Sequence, residues 1–105
     1  MVDKKRERLE DDFHSLQKKW GRQEEVLVDD QRYFLAHGQE MREVIIQTFK
    51  DLPNSRRDYY LNQMDELDFQ YNREFEDQMR LIDEERQAAT KEFNRQLDQL
   101  DKRLW

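Results

Sequence analysis

One break constrains the fold of this sequence more than any other feature. The only proline, Pro53, lies near the middle of the chain and disfavours the helical conformation for the preceding residue, Leu52. The stretches on either side contain two glycines in total and no other strong helix breaker. The pattern predicts an all-α protein: helix 1 over about residues 4–51, a turn at about 52–54, and helix 2 over about 55–103.

The start of helix 2 has recognisable capping residues. Asn54 and Ser55 are good N-caps, and Ser55 and Asp58 have the spacing of a capping box, with Asp in place of the usual Glu. Lys50 precedes the break, where a positive charge suits the C-terminal end of a helix.

The composition agrees with helices rather than disorder. Charged residues make up 42% of the chain and the mean hydropathy is −1.32, values that approach those of disordered proteins. The chain nevertheless has six Phe, four Tyr and two Trp, with one Pro and two Gly. A single, solvent-exposed helical domain over residues 1–105 fits this composition better.

Apolar residues recur along both helices with the periods of packed helices. Helix 1 has large apolar residues seven positions apart, and its second line is polar in the middle, at Gln23, Asp30 and His37. Helix 2 follows an eleven-residue repeat. An antiparallel hairpin in which paired residue numbers add to about 109 aligns both patterns. This register pairs Phe34 with Phe75, Leu16 with Phe93, Leu9 with Leu100, Ile45 with Met64, Trp20 with Ala89, His37 with Tyr71, and Gln23 with Arg86.

The predicted hairpin core is Leu9, Phe13, Leu16, Trp20, Leu27, Phe34, Met41, Ile45, Met64, Leu67, Tyr71, Phe75, Ile82, Ala89, Phe93, Leu97 and Leu100.

Trp20-Gly21 raises the question of a Trp-x-Gly turn, which small exported helical proteins of Gram-positive bacteria carry between two helices. The spacing here is Trp-Gly, and the predicted turn lies about thirty residues later, at Pro53. Trp20 is therefore interpreted as a core residue. Gly21 and Gly38 each cost helix stability, which suggests a close contact or a slight bend at these positions.

The sequence favours a protein without enzymatic activity. It has no cysteine, no phosphate-binding loop and no nucleophile motif. Asp11 and His14 are three residues apart and resemble one half of a di-iron helix motif, but the sequence contains no Glu-x-x-His partner. His37 is predicted to be a hydrogen-bonded core histidine, with a pH-sensitive layer as the alternative. We expect no cofactor, no metal and no catalytic residues.

Apolar residues outside the two stripes predict a surface that binds other helices. A lone two-helix hairpin would leave half of each helix in water, so a partner helix or a second hairpin is expected to cover this surface. The alternative is scattered surface apolar residues. The predicted partner-binding residues are Val28, Tyr33, Leu35, Ile46, Phe49, Tyr59, Phe69, Met79 and Leu81.

Charge and hydropathy exclude other partners. Residues 65–86 hold nine acidic residues and three arginines, and no continuous basic face indicates nucleic-acid binding. No apolar stretch is long enough for a membrane span, and the N-terminus lacks the apolar core of a signal peptide. A cytoplasmic protein is expected, with export without a cleaved signal as an alternative.

Two segments carry a resemblance to a known family: "QRYFLAHGQEM" in helix 1 and "LDFQYNREFEDQMRLIDEERQAATKEFNRQLDQL" in helix 2. In size and helical pattern the chain resembles the small α-helical companions of LXG-domain toxins in Gram-positive type VII secretion systems. The resemblance implies a targeting chaperone that binds the helical N-terminal domain of a toxin, together with a small helical sibling. No aromatic residue is followed by Asp four positions later, so the resemblance implies the member without the Tyr/Phe-x-x-x-Asp export signal.

Two other functions stay as alternatives. A self-associating, homodimeric coiled-coil scaffold would form a stable dimer when alone and would bind no client. A helical enzyme or metal protein would depend on His14 or His37.

Overall fold

The protein consists of two helices joined by a short turn. The structure, a computed structural model, describes residues 2–103, and these form α1, Val2–Thr48, and α2, Asn54–Arg103, with no strand in this range. The all-α, two-helix architecture predicted from the sequence is confirmed. α1 ends somewhat earlier than the predicted residue 51, because the turn takes up the residues before Pro53 as well as Pro53 itself.

Two backbone hydrogen bonds close the turn. The Phe49 amide still donates to the Ile45 carbonyl at 3.1 Å, as in a helix, and the Leu52 amide then donates to the Phe49 carbonyl at 3.1 Å. α2 begins directly after Pro53, whose fixed φ suits a helix start. The Asp58 carboxylate of the predicted capping box accepts hydrogen bonds from the Arg57 side chain instead, at 3.3 Å.

The chain divides into two compact units, each containing a part of both helices. Unit 1 comprises Met1–Glu25 and Met79–Trp105, and unit 2 comprises Val26–Gln78. In both units the two helices are antiparallel. Residues later in α1 contact residues earlier in α2. In unit 1 the pairs are Arg6 with Asp101, Phe13 with Phe93, and Glu24 with Arg86. In unit 2 they are Phe34 with Tyr71, Arg42 with Asp65, and Phe49 with Tyr60.

Two aromatic pairs differ from the predicted register by about one helical turn, whereas Phe49 and Tyr60, whose numbers add to 109, follow it. Phe34 stacks on Tyr71 rather than on Phe75, with ring centroids 3.9 Å apart. Phe13, rather than Leu16, stacks on Phe93 at 4.3 Å. A shift of three or four residues brings the next residue of the same apolar stripe into place, so the hydrophobic pattern alone does not distinguish the two registers.

Burial separates the predicted core into three groups. Trp20, Ile45, Ile82 and Leu100 are buried, which confirms them as core residues. Ten others are half-buried: Leu9, Phe13, Leu27, Phe34, Met64, Tyr71, Phe75, Ala89, Phe93 and Leu97. The prediction was wrong for Leu16, Met41 and Leu67, which are 36%, 38% and 51% exposed. These three lie at the edges of the stripes, where two facing helices do not cover the side chain.

The two glycines have different surroundings. A Cβ built on Gly21 meets no atom within 4 Å, so the expected close contact at this position is not formed. Gly38 is buried, and a Cβ there would lie 3.5 Å from an Arg42 guanidinium nitrogen and 3.9 Å from Asp68 and Met64. These are ordinary contact distances, and neither glycine has a positive φ.

Candidate protein-binding surfaces

Most of the predicted partner-binding residues are exposed. Those exposed are Tyr33, Leu35, Ile46, Tyr59, Phe69 and Leu81, and those half-buried are Val28, Phe49 and Met79. Phe49 packs within the hairpin, since its ring stacks on Tyr60 at 5.1 Å. Whether any of these residues binds a partner stays a prediction. The predicted residues that belong to unit 2 nevertheless lie on different faces of that unit, as their positions around the helices show.

An ion-pair cluster centred on Arg42 identifies one face of unit 2. The Arg42 guanidinium donates hydrogen bonds to Asp68 and, at 3.1 Å, to Asp65. The hydrogen bond to Asp68 raises the pKa of Arg42, against the opposing effect of desolvation. At about 100° per residue, the exposed Leu35 and Ile46 lie on the same side of α1 as Arg42. We call this surface the Arg42 face: Val28, Leu35, Arg42 and Ile46 on α1, with Asp65, Asp68 and Phe69 on α2.

The opposite face of unit 2 contains two rows of exposed apolar and aromatic residues. Around the axis of α1, the residues that contact α2 lie between Arg42 on one side and Tyr33 and Val44 on the other. On α2, Tyr60 and Leu67 lie on the other side from the carboxylates that bind Arg42. The two rows therefore share one surface, which we call the Tyr33 face: Tyr33, His37, Met41 and Val44 on α1, with Tyr60, Gln63 and Leu67 on α2. All seven are exposed, and His37 is the only titratable side chain among them other than the tyrosines.

Two carboxylates lie at one end of the Tyr33 face. Desolvation raises the pKa of the Tyr71 phenol, and the negative charges of Asp30 and Glu74 raise it further. Both carboxylates, one from each helix, are thus close enough to act on the same hydroxyl group. Both side chains are exposed. The apolar rows therefore end at an acidic patch, defined here as Asp30 and Glu74.

His37 is not a core residue. It is exposed, and its ring is parallel to that of Tyr33, with centroids 6.1 Å apart. The position opposite Tyr71 is taken by Phe34. Because His37 lies at the surface, the predicted hydrogen-bonded core histidine was wrong, and the pH-sensitive buried layer loses its basis. Within residues 2–103, no group of three or more His, Asp or Glu side chains is arranged to hold a metal ion.

In unit 1 the main feature is a buried tryptophan. Trp20 has no exposed surface, contacts Phe13 edge-on with centroids 6.2 Å apart, and has the Arg86 guanidinium over its ring. Arg86 also donates a hydrogen bond to Glu24, the neighbour of Gln23, with which the predicted register pairs it. The Trp20 indole Nε1 and the Gln23 Oε1 are both buried without a hydrogen-bond partner among the described residues. This arrangement is a packed core.

Two grooves lie between the helices of unit 1. One is lined by Leu9, Asp12, Leu100 and the long side chains of Lys5 and Arg8, and the other by Leu16, Phe93 and their neighbours. The walls of the first groove combine apolar residues with charged residues of both signs, whereas the charged residues that line the second, Asp12 and Glu92, are both acidic. No convergent set of polar groups identifies either groove as a ligand site.

Sequence reasoning placed only Tyr33 of this face among the partner-binding residues and missed the other six, which are His37, Met41, Val44, Tyr60, Gln63 and Leu67. The periodicity predicts Met41 and Leu67 as core residues, and His37 as a hydrogen-bonded core histidine. The signal that separates them from the core is the spread of apolar residues over more of the helix circumference than one partner helix covers.

No described helix is long and apolar enough to cross a membrane. No protein-family model matches the chain, and neither a curated protein nor a solved structure gives a significant match.

Proposed function

We propose that this protein is a non-enzymatic adaptor that binds other helical proteins. The observation that supports the proposal is the imbalance between buried and exposed apolar side chains. Among the described residues, four hydrophobic side chains are buried while thirteen large ones are exposed. Single exposed apolar residues are ordinary, but contiguous rows on a highly charged protein are typical of interaction sites.

The more specific proposal follows the resemblance of the sequence. The partner would be the helical N-terminal domain of a secreted LXG-domain toxin, bound together with a small helical sibling, and the complex would be directed to type VII export. In this role the adaptor lacks the Tyr/Phe-x-x-x-Asp signal, which another member of the complex supplies. Helix-on-helix packing in a bundle of four or more helices would cover the exposed rows.

A tagged pull-down from the source cells, read by mass spectrometry, tests the proposal. We expect recovery of a small helical sibling and of a larger protein with a helical N-terminal domain, and co-expression of the three chains should give one complex on size exclusion. Recovery of the tagged chain alone, running as a dimer at micromolar concentration, would instead support the homodimeric scaffold and refute the adaptor.

A further inference from the structure

We propose that the Tyr33 face is the docking surface for one amphipathic α-helix whose apolar stripe is flanked by Lys or Arg. This inference deepens the proposed function, on which it rests, by naming the face that is used and the chemistry of the helix that binds there. Three observations carry it: the apolar rows, the near absence of charge between them, and the acidic patch at one end.

The apolar rows have the geometry of a helix-binding surface. Tyr33, His37, Met41 and Val44 follow one another at steps of four, four and three residues, and Tyr60, Gln63 and Leu67 do so at steps of three and four. A third helix lying along the hairpin can contact both rows at once, as amphipathic helices do in hydrophobic grooves. From Asp30 to the level of Tyr60, which stacks on Phe49, the surface extends over about 28 Å, and a helix of about 19 residues covers that length.

Charge distinguishes this face from the rest of unit 2. The Arg42 face contains Arg42, Asp65 and Asp68, whose hydrogen bonds to one another are already formed within the hairpin. On the Tyr33 face, burial beneath a helix would desolvate almost no charged group, so the desolvation cost is low. Tyr33 and Tyr60 also supply large, rigid contact surfaces of the kind that contribute most in interfaces.

The acidic patch determines the charge of the occupant. Asp30 and Glu74 act on the Tyr71 hydroxyl from two different helices, and Asp29 and Glu40 lie along the border of the α1 row. A helix bearing Lys or Arg beside its apolar stripe would bring opposite charge to this border. Such complementarity gives specificity and a faster association rate.

A second copy of this chain fits the same face poorly. In a two-fold symmetric dimer each Tyr33 face would meet its own copy. Depending on the direction of packing, Asp30 and Glu74 would then meet either the copy's acidic patch or its apolar rows. The first arrangement brings like charges together. The second leaves the two carboxylates to share one arginine, Arg56, which lies exposed at the opposite end of the face and points the same way as Glu74.

The test uses the full-length protein and two dye-labelled synthetic peptides, read by fluorescence anisotropy. Both peptides are 18 residues long with the same leucine stripe, one flanked by lysines and the other by glutamates. We expect the lysine peptide to bind about tenfold or more tightly than the glutamate peptide, a difference of about 1.4 kcal/mol. Raising the salt concentration should narrow the difference, since exposed charges are screened.

Two leucines of nearly equal exposure provide a matched pair of variants. Leu67 is 51% exposed on the Tyr33 face, and Leu35 is 49% exposed on the Arg42 face. We expect Leu67→Asp to weaken lysine-peptide binding by about tenfold or more, whereas Leu35→Asp changes it by less than about twofold. The double variant Asp30→Asn/Glu74→Gln should weaken it by about fivefold and flatten its salt dependence, as expected for the loss of exposed charge pairs. Circular dichroism checks that each variant keeps its helices.

Each contrary result is informative. Equal effects of Leu67→Asp and Leu35→Asp, or equal binding of the two peptides, would overturn the inference. A dimer in sedimentation that Leu67→Asp dissociates would identify the occupant as a second copy and would also overturn it. If cellular partners are recovered but Leu67→Asp retains them, the adaptor function stands and the docking face is wrong. If the peptides behave as expected but no cellular partner is recovered, the docking face stands and the adaptor function is wrong.

Discussion

The guanidinium carbon of Arg86 lies 5.9 Å from the centre of the Trp20 ring, and the same guanidinium is hydrogen-bonded to Glu24. The arginine thus connects a buried aromatic ring on α1 to a half-buried carboxylate on the same helix. Cation–π contacts and partly buried ion pairs each stabilise a fold by about 0.5–2 kcal/mol. In unit 1, Arg86 is therefore the polar residue from which we expect the largest contribution to stability.

The Arg86→Met variant tests this contribution. It keeps much of the aliphatic volume but removes the charge, leaving Glu24 without its guanidinium partner. We expect the free energy of unfolding in urea to fall by about 1–2 kcal/mol. Trp20 fluorescence in a Trp105→Phe background provides the signal.

A surface arginine is the matched control for Arg86. Arg95 forms an exposed i,i+3 ion pair with Glu92, to which its Nε donates at 2.9 Å, so Arg95→Met should lower the free energy of unfolding much less than Arg86→Met does. Equal losses for the two variants would show that the contact with Trp20 contributes nothing beyond a surface ion pair.

Two adjacent isoleucines test where the core of unit 2 lies. Ile45 is 9% exposed and Ile46 is 45% exposed, although they are identical in type and successive in the chain. Truncating a buried Ile leaves a cavity, so we expect Ile45→Ala to cost about 2–4 kcal/mol. Ile46→Ala should cost less than about 1 kcal/mol, as is usual for exposed sites. Thermal and urea unfolding of both variants measure the difference, and a reversed order would contradict the helix orientation described here.

Much of the hairpin could be predicted from the sequence because its signals are local. Pro53 identifies the turn, and the apolar periods identify which side of each helix faces the other. Ile45 and Leu100 were placed correctly by these rules alone. The register could not be predicted to better than one turn, since Tyr71 and Phe75 both lie in the stripe of α2 and either can meet Phe34.

The candidate binding surface was only partly visible in the sequence. Leu67 belongs to the repeat of α2, so periodicity assigns it to the core, yet its side chain is half exposed. The contact that separates the two faces is the bond between Arg42 and Asp68, which are far apart in the chain. Periodicity describes each helix separately and contains no information on which acidic residue across the hairpin a given arginine will bind.

Gly21 offers a stabilising substitution. It lies inside α1, has no positive φ, and a Cβ at this position would meet no atom within 4 Å. Alanine in place of glycine within a helix is worth about 0.5–1 kcal/mol, because the unfolded chain loses less freedom on folding. We expect Gly21→Ala to raise the free energy of unfolding by that amount in a urea titration. A loss of stability would mean that the chain uses a bend or a close contact at this residue.

The Tyr71 phenol gives the protein a pH dependence at the alkaline end. Desolvation, with the negative charges of Asp30 and Glu74, raises its pKa above the ordinary value of 10.0 in the folded state. Below pH 10 the phenol is protonated in both states and its contribution to stability is complete. As the pH rises above 10 the unfolded state ionises first, so this contribution is lost progressively until the pH passes the folded-state pKa.

Substitutions around Tyr71 separate its ionisation from that of other groups. Tyr71→Phe keeps a ring to stack on Phe34 but cannot ionise, so its urea midpoint should fall less between pH 9 and pH 11 than that of the unsubstituted protein. Glu74→Gln removes one of the two negative charges and should lower the pKa of Tyr71, measured by NMR of ring-labelled tyrosine with the Tyr71 signal assigned by its absence in Tyr71→Phe. Identical alkaline losses of stability in Tyr71→Phe and the unsubstituted protein would show that this phenol is not linked to folding. An unchanged Tyr71 pKa in Glu74→Gln would remove the carboxylate from the acidic patch of the Tyr33 face.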